Sequence, residues 1–326
     1  MGLSSVAQAS ETVDAIKARG SMICGANTGL AGFGGPDSEG NWTGLDVDVC
    51  RAVAAAVLGD GQAVEFVPLT SQQRFTALQS GEVDMLSRNT TWTLTRDTSL
   101  GLNFAGVTYY DGQGFMVPAE LGVSSALELD GAAVCVQTGT TTELNLADYF
   151  RANGMSFEPV VIESLDEVNA AYFSGRCDVY TTDASGLASI RATVAPVPED
   201  HVILPEIISK EPLGPVVRHG DDAFLDIVKW VVYALIEAEE KGITQANVGD
   251  MASSDDPVIQ RLLGTTPGMG EALGLGEDWA ANAISAVGNY GEIFDRNVGP
   301  DTPLRLERGL NALWTEGGLI YAMPAR

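Results

Sequence analysis

Positive charge is scarce in this sequence. It has 18 lysine and arginine residues against 44 aspartate and glutamate residues, which gives a formal net charge of −26. Nucleic acids and anionic membrane surfaces would repel such a protein on average, so the composition argues against both as partners. Anionic small molecules are not excluded, because one local cation can outweigh the mean field at short range.

The usual zinc ligands are also rare. The histidines are His201 and His219, and no two of the four cysteines form a CxxC pair. This pattern argues against a metal site, and no motif predicts a cofactor. Four well-spaced cysteines are typical either of buried thiols or of two disulfides, for which three pairings exist.

No apolar run reaches the roughly 18 residues that a membrane-spanning helix needs. The longest candidate, "DIVKWVVYALIEAEEKG", contains Lys229 and ends in charged residues, so it predicts a buried helix. The opening "MGLSSVAQAS" has no apolar core, and its small residues match the end of a cleaved signal peptide. The sequence therefore predicts an exported protein without a membrane insertion of its own.

An internal repeat organises the chain. "ALQSGEVDMLS" begins at Ala77 and "AYFSGRCDVYT" begins at Ala171, 94 positions later (171 − 77). Both contain Ser-Gly, two residues, Asp, two apolar residues and a hydroxyl. Upstream, "GSMICGANTG" and "GAAVCVQTG" share Gly, an aliphatic residue, Cys and Thr-Gly in the same order. Two matching blocks in matching order predict two similar structural units.

Each half has the pattern of an α/β unit. The short apolar runs "MICGA" and "AAVCVQ" predict strands, and amphipathic stretches predict the helices that follow them. We expect Asp46 to cap one helix, and Ser71 to cap another that ends at Gly81. Thr140, followed three residues later by Glu143, predicts a capping box in the second half.

Polar segments follow the strands that close each repeat. "VDML" continues into "SRNTTWTLTR", and "CDVY" continues into "TTDASG". The segments "NTGLAGFGG" and "QTGTTTE" follow the other two strands. Ligands of open α/β sheets bind beyond the carboxyl ends of the strands. If the two units face each other, all four loops therefore surround one cleft.

Complementary charges lie in these loops. Arg96 offers a planar fork that matches a carboxylate, and Asp183 is an acceptor that suits an ammonium group. The loops also contain the hydrogen-bonding residues Asn89, Thr91, Thr140 and Thr141. The last two begin a predicted helix, whose N-terminus favours an anion. A carboxylate site facing an ammonium site predicts a free amino acid as the ligand.

Several of these residues have alternative interpretations. Taken alone, Arg96 in a loop is more often solvated than part of a site, and Asp183 is more often a turn residue. Their equivalent positions in two equivalent units favour the site. Arg88 either reaches an acidic ligand side chain or is solvated. The candidates for an aromatic contact with the ligand are Phe33, Trp42 and Trp92.

The chain resembles the periplasmic substrate-binding proteins of polar amino-acid ABC transporters, and among them the general L-amino-acid-binding subgroup. The similarity spans roughly residues 11–326 and rests on "GNWTGLDVDVCRAVAAAVLG", "RFTALQSGEVDMLSRNTTWTLTRD", "CVQTGTTTELNLADYF" and "GRCDVYTTDASGL". It implies an α/β fold of two lobes (type II), each a mixed, mostly parallel sheet flanked by helices. The ligand cleft of such a fold lies between the lobes.

The resemblance also implies roles for single residues. It places the ligand α-carboxylate on Arg96, in the element "TLTR", and the α-ammonium on Asp183. Phe33 corresponds to an aromatic residue that stacks on the ligand. The neighbouring donors of the family match Asn89, Thr91, Thr140 and Thr141.

The implied architecture divides the chain into a discontinuous first lobe, residues 1–112 and 215–326, and a second lobe, residues 113–214. The tail beyond about residue 247 is expected to wrap the first lobe. The subgroup resemblance implies the disulfides Cys24–Cys50 and Cys135–Cys177, one in each lobe.

The implied function is transport without catalysis. A periplasmic monomer, expected in a Gram-negative bacterium, would capture free L-amino acids by hinge closure and deliver them to the permease of an ABC transporter. The subgroup implies broad specificity, with polar and acidic amino acids as ligands.

Two other functions share this fold. One is an enzyme similar to cyclohexadienyl dehydratase, which would need a general acid or base in the cleft. Glu143 and Asp183 are the groups that the sequence offers for this role. The other is the ligand-binding module of a sensor, which a transmembrane segment would identify. A triad hydrolase is not supported, because the sequence contains no GxSxG element.

Overall fold

Two five-stranded sheets form the framework of the protein. The computed structural model describes residues 10–326. The predicted signal-peptide remnant falls almost wholly outside these residues, at positions 1–9. Within the described chain, none of the helices is both long and apolar enough to cross a membrane.

The strands, in chain order, are β1 (Met22–Ala26), β2 (Gly35–Pro36), β3 (Trp42–Thr43), β4 (Val64–Pro68), β5 (Met85–Leu86), β6 (Leu102–Phe104), β7 (Tyr109–Asp111), β8 (Gln113–Pro118), β9 (Ala133–Gln137), β10 (Glu158–Ile162), β11 (Val179–Asp183), β12 (His201–Ile203), β13 (Glu211–Leu213) and β14 (Val216–Arg218).

The helices are α1 (Glu11–Arg19), α2 (Leu45–Leu58), α3 (Gln73–Ser80), α4 (Thr141–Ala152), α5 (Leu165–Phe173), α6 (Ala184–Thr193), α7 (Asp222–Glu240), α8 (Val248–Met251), α9 (Pro257–Leu262), α10 (Met269–Leu273), α11 (Trp279–Val287) and α12 (Tyr290–Asn297). Short turns of π or 3₁₀ type cover Thr95–Ser99, Ala119–Leu121, Ala126–Glu128, Pro198–Asp200, Gly309–Asn311 and Trp314–Glu316.

The sheets have equivalent topologies. The first has the order β4-β1-β5-β14-β6, and the second has the order β10-β9-β11-β8-β12. In each, four strands run in the same direction, and the fourth strand in the order, β14 or β8, runs antiparallel to them. We call each sheet with the helices packed on it a lobe. The predicted two-lobed α/β fold is confirmed.

The repeated aspartate has the same structural role in both lobes. Asp84 accepts a hydrogen bond from the backbone N–H of Ile23 at 2.7 Å, and Asp178 accepts one from the N–H of Ala133 at 2.8 Å. Each carboxylate thus fixes the start of the strand beside its own. This contact explains why the repeat carries an aspartate there.

The chain passes between the lobes through a two-stranded antiparallel ribbon, β7 and β13. Its register pairs Asp111 with Glu211 and Tyr109 with Leu213. We call this ribbon the hinge. Both strands lead directly into the two sheets, so residues of the hinge lie close to the loops at the sheet edges.

The C-terminal helices pack on the first lobe. The helix predicted from "DIVKWVVYALIEAEEKG" is α7, whose apolar face is buried against α2, α11 and α12. We call the tail beyond about residue 247 the C-terminal extension. It also contacts the hinge: the Asn311 side chain accepts from the backbone N–H of Tyr110 at 2.6 Å and donates to its carbonyl at 3.1 Å. The extension therefore holds one hinge strand by its backbone.

Two helix starts differ from the predictions. Helix α2 begins at Leu45 after Gly44, and Asp46 lies inside its first turn with its carboxylate buried. Helix α3 begins at Gln73, and Thr70 rather than Ser71 accepts from the Gln73 N–H. In both cases the predicted cap has a partner elsewhere: Asp46 accepts from the Asn89 N–H and Ser71 donates to Gln137.

The cap of α4 is confirmed in part. Thr140 accepts from the backbone N–H of Glu143, as predicted for an N-cap. The Glu143 carboxylate accepts from the N–H of Gly139 rather than from that of Thr140. The reciprocal half of the capping box is therefore displaced by one residue.

The structure pairs Cys24 with Cys50 and Cys135 with Cys177, the pairing that the resemblance implies. Each bridge lies within one lobe, joining β1 to α2 and β9 to the segment before β11. Neither bridge restrains the hinge.

Removal of either bridge by paired alanine substitutions should lower stability and leave ligand affinity nearly unchanged. The bridges close loops of 26 and 42 residues. In the chain-entropy model, loops of this size contribute about 3.5 to 4 kcal/mol each. Thermal unfolding with and without ligand measures both effects. A bridge whose loss weakened binding more than stability would contradict this prediction.

Asn311→Ala should lower the free energy of unfolding by about 1–3 kcal/mol, because it leaves two partly buried backbone groups of Tyr110 without their hydrogen-bond partner. Denaturant unfolding measures the change. Asn153→Ala is the control, because Asn153 bonds only to the carbonyl of Tyr149 on the exposed end of α4. Equal losses in the two variants would show that the contact with the hinge contributes nothing.

Candidate functional site

The four predicted loops meet between the lobes. Thr91 of the first lobe lies 3.3 Å from Thr141 of the second, hydroxyl to hydroxyl. Ser189, in the helix that follows the fourth loop, donates to the carbonyl of Ala31 at 2.8 Å. At the rim, Thr70 donates to the carboxylate of Glu163 at 2.8 Å. The lobes are therefore closed on each other.

Arg96 lies in the π-type turn that follows the first-lobe loop, and its residue is 7% exposed. One guanidinium nitrogen donates to the carbonyl of Thr91 at 2.9 Å, and the group lies over the ring of Phe75 at 5.0 Å. Burial lowers the pKa of Arg96 to about 10, so the group is a cation at neutral pH. No carboxylate within residues 10–326 forms an ion pair with it.

Asp183 ends β11 and is also 7% exposed. Among the described residues, no side chain or backbone group donates a hydrogen bond to its carboxylate. Burial raises the pKa of Asp183 well above its usual range, and the negative charges of Asp111 and Glu211 add to the effect. The cations Arg74 and Arg96 act in the opposite direction. The carboxylate is thus a buried acceptor without a cation in contact.

Asp111 lies beside Asp183 at the end of the first hinge strand. Its carboxylate accepts from the hydroxyl and the N–H of Ser185 and from the N–H of Gly112. Burial raises the pKa of Asp111 to about 6, against the lowering effect of these hydrogen bonds. The hinge therefore places a second acidic group next to the predicted ammonium site.

Asn89 and Arg88 belong to one network in the first lobe. The Asn89 side-chain oxygen accepts from Asn27 at 2.8 Å and from Arg88 at 3.2 Å, and its backbone has a positive φ of 32°. Arg88 is buried, and its Nε donates to the carbonyl of Leu69 at 3.0 Å. The solvated interpretation of Arg88 is therefore wrong; contact with a ligand side chain stays a prediction.

The structure does not support Phe33 as the residue that stacks on a ligand. Its ring is 1% exposed and packs edge-on against Tyr109, with 5.2 Å between the ring centres. The carbonyl of Phe33 accepts from the N–H of Asp46, which folds the loop over the start of α2. This backbone contact turns the ring into the core of the first lobe.

The other two aromatic candidates also have partners in the first lobe. Trp42 stacks on Phe66 at 5.2 Å, and Trp92 stacks on Phe104 at 5.4 Å, between ring centres. Trp92 therefore packs its loop against strand β6 of its own lobe.

The two threonines at the start of α4 have different environments. The Thr140 hydroxyl accepts from the Glu143 N–H and donates to the carbonyl of Gln137 at 2.6 Å, so it is used within the loop. The Thr141 hydroxyl points to the hinge, 2.7 Å from Glu211. Of the two side chains, that of Thr141 faces the cleft.

Sequence reasoning missed Arg74 and Glu211. Arg74 is buried and donates to the carbonyl of Arg88 and to the hydroxyl of Thr90, while its Nε has no partner within the described chain. The helical spacing of Arg74 from the apolar residues Ala77 and Leu78 could have predicted its burial, because the three share one face of α3. Glu211 lies outside both repeats, and nothing in the local sequence marks it.

One of the two candidate acid–base groups for a dehydratase, Glu143, is already hydrogen-bonded within its own loop. The Glu143 carboxylate accepts from the N–H of Gly139 and from the hydroxyl of Thr138 in its own loop. Asp183 is the remaining candidate, and the cation of Arg96 lowers its pKa against the larger effect of burial.

Fold and site together define a class: a two-lobed α/β binding protein whose hinged lobes close on a small polar molecule. The sequence comparison agrees with this class. The model of the bacterial extracellular solute-binding proteins, family 3, matches residues 22–246, and the chain belongs to this family.

Relatives of similar length are known. The chain is 63% identical to the general L-amino acid-binding periplasmic protein of Rhizobium johnstonii, over 98% of this chain and 94% of that one. It is 61% identical to the glutamate/glutamine/aspartate/asparagine-binding protein of Rhodobacter capsulatus, over 98% and 95%. These relatives are binding proteins, and the chain is a solute-binding protein rather than an enzyme.

A solved structure has nearly the same fold. A periplasmic binding protein of an ABC transporter from Brucella ovis, with glutathione bound, superimposes with a TM-score of 0.95 at 59% identity. The match covers 98% of this chain and all of that one. The C-terminal extension, which lies beyond the family match, is thus shared with a relative.

Proposed function

We propose that this protein captures free L-amino acids between its lobes and delivers them to the permease of an ABC transporter. The observation that carries the proposal is the pair Arg96 and Asp183. Both are buried, opposite in charge, and without an ion-pair partner in the described chain. Buried charges are normally paired, so a ligand that carries both opposite charges completes the site.

The orientation of the bound ligand in the cleft follows from the positions of the two charged residues. Its α-carboxylate lies on the guanidinium of Arg96, with the N-terminus of α4 as a second source of positive potential. Its α-ammonium lies on Asp183. We propose that Asn89 and Thr91 from the first lobe and Thr141 from the second complete this site. Thr140 contributes through the backbone of the helix start.

The lobes move about the hinge formed by β7 and β13. We propose the division into residues 1–112 with 215–326 and residues 113–214, which the two sheets support. Each lobe then supplies one of the two charges. A ligand that contacts both lobes stabilises the closed form by its differential affinity, and closed protein is the form that a permease would recognise.

Polar and acidic amino acids are the proposed ligands, with broad specificity. The named ligands of the two relatives include glutamate, glutamine, aspartate and asparagine, and L-amino acids in general. In this chain, Arg74 adds a buried cation with an unpaired Nε near the site, which suits an acidic or amide side chain.

The Brucella relative has glutathione bound. Its γ-glutamyl end carries a free α-carboxylate and α-ammonium, so we propose that γ-glutamyl compounds also bind here. The proposed form in the cell is an exported periplasmic monomer of a Gram-negative bacterium, as for the periplasmic relatives.

The direct test is a thermal-shift and calorimetric screen of the twenty amino acids and glutathione. We expect stabilisation by polar and acidic amino acids at micromolar concentration. A flat response to all of them would contradict the proposed function.

Arg96→Ala should weaken amino-acid binding at least about a hundredfold, because removing one partner of a desolvated charge pair typically costs about 3–5 kcal/mol. Titration calorimetry measures the loss. Arg151→Ala is the matched control, because Arg151 is an exposed arginine of α4 that pairs only with Asp148. Near-wild-type affinity in Arg96→Ala would show that Arg96 does not bind the ligand.

Amino-acid affinity should fall as the pH is lowered. Burial raises the pKa of Asp183 in the closed protein without a ligand, and a bound ammonium would lower it again. Binding is therefore strongest above the raised pKa, and it weakens as the pH falls through that value and Asp183 takes up a proton. Asp111, with its pKa near 6, titrates with it.

Calorimetry in buffers of different ionisation enthalpy measures the proton that binding releases in this window. An affinity that stayed constant down to the ordinary range of an aspartate, about pH 4, would contradict the role of Asp183.

A further inference from the structure

Asp46 connects the two loops that the first lobe contributes to the cleft. It lies in the first turn of α2 and is 2% exposed. Its carboxylate oxygen Oδ2 accepts from the backbone N–H of Asn89 at 2.6 Å, and Oδ1 accepts from the hydroxyl of Ser87 at 3.1 Å. Its backbone N–H donates to the carbonyl of Phe33 at 3.0 Å. Both loops are therefore bound to this one residue.

The start of a helix does not by itself account for this buried carboxylate. The stabilisation that a first-turn carboxylate gains from the helix dipole is small compared with the cost of removing it from water. Burial raises the pKa of Asp46 to about 6. The hydrogen bonds from Asn89 and Ser87 act against this effect, as do the nearby cations Arg88 and Arg74. The contacts with the loop thus offset the burial.

Asn89 has a backbone conformation that needs such a contact. Its φ is 32°, in the left-handed region that residues other than glycine rarely adopt. Asparagine tolerates this region better than most residues, but such conformations persist where surrounding contacts fix them. The N–H that Asp46 accepts from belongs to this same residue. The carboxylate therefore holds Asn89 at the point where its backbone turns.

The neighbouring side chains fix the direction of the Asn89 amide. Arg88 can only donate, so the atom that it contacts at 3.2 Å is the Asn89 side-chain oxygen. Asn27 donates to the same oxygen at 2.8 Å, while its own oxygen accepts from the N–H of Gly29. The Asn89 oxygen is then used within the lobe. Its NH₂ group is the part of the side chain that is left to bind an acceptor on the ligand.

We infer that Asp46 is a positioning residue, which holds Asn89 in the left-handed conformation from which its NH₂ group donates to the ligand. Asp46 acts on affinity through Asn89 and does not touch the ligand itself. This inference rests on the proposed function, in which Asn89 is a ligand contact. It adds a residue behind the cleft to those that determine affinity.

The test is a double-mutant cycle, with the affinity for L-glutamate measured by titration calorimetry. Asp46→Ala should weaken binding about tenfold, because it removes the acceptor that holds Asn89. Asn89→Gly removes the amide and leaves a residue that adopts a positive φ freely. In that background, Asp46→Ala should weaken binding less than about threefold, because the side chain on which it acts is absent.

Asp46→Asn separates the geometry of the contact from its charge. The asparagine oxygen can accept from the Asn89 N–H, and its NH₂ group can donate to the hydroxyl of Ser87. We expect its affinity for L-glutamate to stay within about threefold of the wild type. If Asp46→Ala does not fold, Asp46→Ser takes its place in the cycle, because its shorter side chain does not reach the Asn89 N–H.

Asp48→Ala is the matched control. Asp48 is a second buried carboxylate of α2, but it pairs with Arg51 and Arg296 rather than with the loop that contains Asn89. Its loss should lower the free energy of unfolding and leave the affinity for L-glutamate near that of the wild type.

Equal losses of affinity from Asp46→Ala in the two backgrounds would show a general effect on the lobe and overturn the inference. A loss in Asp46→Asn as large as that in Asp46→Ala would also overturn it, and so would near-wild-type affinity in Asn89→Gly. Failure of the wild-type protein to bind any amino acid would instead contradict the proposed function, so the two failures are distinguishable.

Discussion

The cost of burying an unpaired charge is the constraint on which the rest of this structure depends. Arg96 and Asp183 are removed from water on facing edges of two lobes, and each lacks an ion-pair partner within residues 10–326. An uncompensated buried ion costs several kcal/mol. Lobe closure without a ligand is therefore opposed by electrostatics, whereas closure around a dipolar ligand removes the penalty at both ends. Ligand binding and lobe closure are therefore energetically coupled.

The features that the sequence predicted well are those that depend on local pattern and order. The repeat predicted two equivalent sheets, because strand and helix periodicities are local. The loops with Arg96, Thr141 and Asp183 were placed correctly at the cleft, since the carboxyl ends of parallel strands share an edge. Thr140 was recognised as a helix cap from its spacing to Glu143.

The features that escaped prediction depend on partners far away in the chain. Asp46 has the composition of a cap, but its carboxylate bonds to Asn89, 43 residues later. Glu211 meets Thr91 and Thr141 across separations of 120 and 70 residues. The direction of Phe33 is set by a backbone contact with α2, which no side-chain pattern encodes.

The register of the hinge ribbon has a mechanical consequence. Asp111 and Glu211 face each other across its two strands, so the groups around the ligand lie beside the axis of rotation. Displacement during a rotation grows with distance from the axis. A small opening would therefore shift the site little and separate exposed pairs such as Thr70 and Glu163 at the rim much further. In the proposed closure, the ligand would act close to the axis of rotation, and the largest displacement would occur at the rim of the cleft.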